Sequence, residues 1–67
     1  MVVHNEVIVT ATRPDSWEQA ALNAVGRTRE TVENLQWAVV QDQSINVDAA
    51  DEPEFKTKVK IGFEVAE

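Results

Sequence analysis

The chain has no cysteine and a single histidine, His4, among its 67 residues. The first absence excludes disulfides. The two together exclude a standard structural zinc site, which takes about four Cys or His ligands. The only glycines are Gly26 and Gly62, too few for a phosphate-cradling loop. Basic residues are scarce: six Lys and Arg stand against twelve Asp and Glu, for a formal charge of −6. An acidic chain repels phosphate backbones, so nucleic acid is not an expected partner. No apolar run approaches the roughly 18 residues of a membrane span. The stretch from Met1 to Glu6 lacks the basic and apolar regions of a signal peptide. The expectation is a soluble cytoplasmic protein with no membrane partner.

This length accommodates one domain, spanning 1–67. A domain so small buries only about 60% of the surface its unfolded chain exposes. Chains of this size need disulfides, a structural metal or oligomerisation. With the first two excluded, self-association into a homo-oligomer is what remains.

Val7, Ile8 and Val9 are β-branched and Thr10 and Thr12 follow, so Val2 to Thr12 reads as a strand. Arg13-Pro14-Asp15 breaks it, and Pro14 suits the first turn of a helix. Asp15 with Glu18, or Ser16 with Gln19, supplies a capping box; the sequence does not choose between them. From Trp17 the period becomes helical. Trp17, Ala20, Ala21, Ala24, Val25 and Thr28 form one apolar stripe, with Val32 next on that face and Glu33-Asn34 closing the segment. Its alanines let the helix lie close to a sheet, and Gly26 is expected to mark a close approach to a neighbour. Leu35 to Val47 reads as a second strand. Leu35, Trp37, Val39, Ile45 and Val47 share one parity, Ala38 and Val40 the other. One face is expected to pack on the helix and the other to be covered by another subunit. Asp48 to Glu54 is a polar loop. In the last strand Phe55, Thr57, Val59, Ile61, Phe63 and Val65 alternate with Lys56, Lys58, Lys60, Gly62 and Glu64. The order is β-α-β-β, an α+β arrangement whose last two strands are antiparallel.

From about Val7 to Val65 the chain resembles the dodecin family. The resemblance is carried by Asn34-Leu35-Gln36-Trp37-Ala38-Val39-Val40 and by Phe55-Lys56-Thr57-Lys58-Val59-Lys60-Ile61-Gly62-Phe63, supported by Arg29 to Asn34, the helix start at Ser16-Trp17, element order and length. It implies a three-stranded antiparallel sheet partly wrapped around one helix, with copies assembled as a hollow dodecamer. It also implies flavin storage. In flavin-binding members two flavins lie antiparallel across a two-fold axis, each stacked on a tryptophan of the middle strand. A carboxylate further along that strand helps hold the ligand, and a glutamine of the last strand hydrogen-bonds the ring. Carried over by position, the stacking residue is Trp37, the carboxylate is Asp42, and Gln36 lies beside the ring. The ligand expected is riboflavin, lumiflavin or FMN.

Lys56 stands where the family has glutamine. Glutamine donates and accepts; lysine only donates, so it cannot take the flavin N3–H. The expectation is weaker binding of neutral oxidised flavin, or a preference for anionic species such as reduced flavin or a phosphate-bearing ligand. Lys56, Lys58 and Lys60 also read as a solvated stripe offsetting the acidic surface. Trp17 reads as packing.

Some dodecin-like relatives are associated with calcium, and the chain is similar to them through Ser16-Trp17-Glu18-Gln19-Ala20-Ala21. A cation-binding cage is therefore the alternative. Asp42, Asp48, Asp51, Glu52 and Glu54 supply oxygens, but without EF-hand spacing. His4 reads as a surface residue with no forced partner, and Ser16 and Ser44 have no evident base. An enzyme is not expected.

Overall fold

The computed structural model describes residues 2–47 and 52–65. Its elements are β1 (Val3–Arg13), α1 (Trp17–Arg29), β2 (Leu35–Asn46) and β3 (Glu54–Val65). Both strand pairings are antiparallel and the sheet order is β1-β3-β2, so β3 is central. The outer strands β1 and β2 therefore run parallel to each other, and α1 makes the crossover between them. The polar loop's Asp48 to Asp51 lie outside the described residues, while Glu54 already belongs to β3.

The choice of helix cap falls on Ser16, whose Oγ accepts from the Gln19 N–H at 3.0 Å. Asp15 is engaged elsewhere: Arg13 Nε and Nη2 donate to its two carboxylate oxygens at 3.1 and 3.2 Å. That hydrogen bonding, with the nearby positive charge, holds the Asp15 carboxyl below its usual range and raises the Arg13 guanidinium. The first helical residue is fastened to two strands. The Trp17 indole N–H donates to the Ser44 carbonyl at 3.1 Å, and the Trp17 carbonyl accepts from the Thr57 hydroxyl at 3.0 Å. Its ring meets Phe55 edge-on at 4.8 Å. Trp17 is a packing residue, as expected.

Ala20, Ala24 and Thr28 are the buried helix positions. Their small side chains let α1 settle onto Val59 and Ile61 of β3, with Val7, Val9 and Ala11 of β1 and Leu35 around them. Burying Val59 and Ile61 contributes about 1.5–3 kcal/mol each. The Thr28 hydroxyl is satisfied by the Ala24 carbonyl at 2.8 Å.

Three expectations need correction and one is narrowed. The helix ends at Arg29, and Glu33-Asn34 lies in the turn beyond it; Asn34 adopts φ 63° and redirects the chain into β2. Gly26 has open space where a Cβ would stand, so no described residue of its own chain approaches it closely; it sits off the buried stripe. Beyond Leu35, the helix-facing side of β2 is largely uncovered, because α1 packs chiefly over β1 and β3. Val40 and Ile45 remain 48% and 46% exposed. The single parity expected for β2 is also broken, by two bulges described next.

Candidate functional site

Between Leu35 and Trp37, and again between Val40 and Asp42, β2 advances two residues while β3 advances one. Gln36 and Gln41 are the extra residues of these β-bulges. Directly opposed residues project to the same side of a sheet. Leu35 faces Phe63, Ala38 faces Ile61 and Ile45 faces Phe55, all on the helix side. Trp37 faces Gly62, Val39 faces Lys60, Asp42 faces Lys58 and Ser44 faces Lys56, all on the side away from the helix. A strict alternation would have put Leu35, Trp37 and Ile45 together.

Trp37 lies over the backbone of Gly62. A Cβ at that glycine would collide with Cε2, Cζ2 and Cδ2 of the indole. The missing side chain thus lets the ring lie down on β3, which is the close backbone approach that a glycine inside a strand signals. Trp37 remains 39% exposed. His4 of β1 meets it in a T-shaped contact, with ring centroids 5.0 Å apart and planes at 64°. His4 is exposed, as expected of a surface histidine, and the aromatic contact is one the sequence did not force. No short-range pattern reveals this contact, because it depends on β1 and β2 reaching toward each other across β3.

Farther along the same face, Thr10, Asp42, Ser44, Lys56 and Lys58 line a shallow depression of about 260 Å³. Asp42 and Lys56 are thus brought together, but Gln36 and Trp37 are not with them. Gly62, beneath Trp37, is six residues from Lys56 along β3, about 20 Å at ~3.3 Å per residue. One chain presents the expected site as two halves: an aromatic platform at one end of the face and a polar, two-lysine depression at the other. Trp37 belongs to the middle strand in chain order, but that strand is an edge of the sheet. Among the described residues no group of three or more His, Asp or Glu is placed to hold a metal ion. No helix there is long and apolar enough to cross a membrane.

A small β-α-β-β unit whose sheet carries an aromatic platform on an open edge strand defines the class of this chain. The dodecin family model matches residues 3–66, and the chain belongs to the dodecin family. It is 35% identical over 65 residues to the calcium dodecin of Mycobacterium tuberculosis, covering 97% of this chain and 92% of that protein. The crystal structure of the calcium-chelating antigen calcium dodecin from that organism matches with a TM-score of 0.84 at 34% identity, covering 96% of this chain and 91% of that one. The dodecin of Streptomyces coelicolor matches with a TM-score of 0.88 at 27% identity, covering 98% and 94%.

Proposed function

We infer that this chain is a flavin-binding storage protein of the cytoplasm, in which Trp37 stacks the isoalloxazine ring at subunit interfaces of a homododecamer. The observation that carries the reading is the Trp37 platform: an indole laid on Gly62, partly open to solvent, on an edge strand. A large flat ring on indole contributes about 0.5–1.5 kcal/mol beyond area burial when the pair is buried. Electron transfer from Trp37 at stacking distance quenches flavin photochemistry. The separation of the two half-sites fits the same reading. Antiparallel pairing of two β2 edges about a two-fold axis carries the Trp37 end of one chain toward the Asp42–Lys56 end of the next. It also pairs the backbone N–H and C=O groups that an edge strand leaves open. Binding rather than catalysis is the activity this geometry serves.

The second reading is a calcium-binding cage, favoured by the similarity to a calcium dodecin and by the charge of −6. Such a site would gather carboxylates from more than one chain or from residues outside those described.

Titrating riboflavin, lumiflavin and FMN with the purified assembly separates the two. Saturable quenching that disappears in Trp37→Ala, with the assembly intact, supports the flavin site. No quenching at micromolar protein, alongside saturable calcium binding, overturns it.

A further inference from the structure

The Trp37 platform has one aromatic side-chain neighbour among the described residues, His4. Its imidazole stands at 64° to the indole with centroids 5.0 Å apart, so its nitrogens lie within reach of a ring that meets Trp37. The ordinary neutral imidazole carries one donor and one acceptor nitrogen. That combination is what a flavin pyrimidine edge, with its N3–H and flanking carbonyls, requires. It is also what Lys56 cannot supply, having donors only. His4 is the single histidine of the chain, in a strand whose register is held by β3 from Val3↔Val65 to Arg13↔Phe55.

We propose that His4 is the acceptor that reads the ring edge of the flavin on Trp37, and that its protonation state sets the affinity for neutral oxidised flavin. The proposal rests on the flavin reading given above. Protonated imidazole has two donors and no acceptor, so the bond to N3–H is lost when His4 gains a proton. The side chain thereby makes flavin retention sensitive to acidification: held when His4 is neutral, released when it is charged.

Among the described residues, the charged groups around His4 are few. Glu64 lies directly opposite on β3 and Glu6 lies two residues along β1 on the same face. Lys60 is opposite Ile8, further along. From β2 the neighbour is Trp37, which does not titrate, and α1 lies on the other side of the sheet. Histidine ordinarily titrates between about pH 5 and pH 8, whereas carboxylates and lysines ordinarily titrate outside that window. The N3–H of oxidised flavin keeps its proton there as well. The α-amino group also titrates there, so a change of binding across this window is assigned to the imidazole only where His4→Gln abolishes it.

The experiment is a riboflavin quenching titration of the intact assembly at about pH 5.5 and about pH 8, on either side of the ordinary histidine range. It uses wild type, His4→Gln and His4→Phe, with Trp37→Ala as the control for stacking. Wild type is expected to bind more weakly at the lower pH by roughly three- to ten-fold, the loss of one hydrogen bond. His4→Gln keeps donor and acceptor without a proton equilibrium, so it should match the high-pH affinity at both values. His4→Phe keeps an aromatic ring without an acceptor, so it should be weak at both. Trp37-dependent quenching with the same affinity at both pH values in wild type overturns the role of His4 and leaves the flavin site standing. So does a pH effect that His4→Gln retains. Absence of quenching in wild type at either pH removes the flavin reading and this proposal with it.

Discussion

Replacing Gly62 by alanine should undo the platform without touching any polar group. Gly62 does not sit at positive φ, so an alanine backbone fits there and only the side-chain contact decides the outcome. The added methyl would stand within the Trp37 indole, against Cε2, Cζ2 and Cδ2. The ring must lift off β3 or the strands must spread, and overpacking of this kind costs about 1–3 kcal/mol. Opposing it is the lower entropy of an unfolded chain with alanine in place of glycine, worth about 0.4–1 kcal/mol. The net expectation is a destabilisation of about 1–2 kcal/mol by the difference of those two effects. With Trp37→Ala as background the clash partner is gone, so the same methyl should be neutral or stabilising by about 0.5 kcal/mol. Urea unfolding of the four proteins, followed by circular dichroism at one protein concentration, gives the coupling directly. Gly62→Ala should also weaken flavin quenching in the wild-type background. Equal effects on stability in both backgrounds would refute the idea that glycine is there to seat the indole.

Lys56→Gln restores a side chain that both donates and accepts, and should tighten oxidised riboflavin by about five-fold, one net hydrogen bond. An unchanged dissociation constant would remove Lys56 from the account of the ring edge. Asp15 is held below the usual carboxylate range first by its hydrogen bonds from Arg13. A lowered folded-state value means the pairing stabilises the β1–α1 turn above the ordinary carboxylate range and is lost as pH falls through the depressed value. The group is at the surface, so the step is small. Thermal melts from about pH 5 downward should show Asp15→Asn converging on wild type as the carboxylate is protonated; a constant offset between them contradicts the linkage.

Element order and the location of the core were legible in the residues themselves. The alanine-rich stripe Ala20, Ala24, Thr28 and the alternation Thr57, Val59, Ile61 have the helical and strand periods of faces that bury, and those faces meet. The two apolar sides around Leu35 to Val40 marked a strand needing more cover than this chain provides, and both sides of it stay open. The short turns were less legible: Ser16 and Asp15 are both good caps, and the choice was made by Arg13, which engages Asp15. Tertiary structure alone decided which side each residue of β2 faces. A bulge follows from how β2 registers against β3, so its parity shift leaves no trace in a local pattern. The same holds for His4 beside Trp37, which are 33 positions apart in sequence and meet only because β3 lies between their strands with a glycine at the crossing.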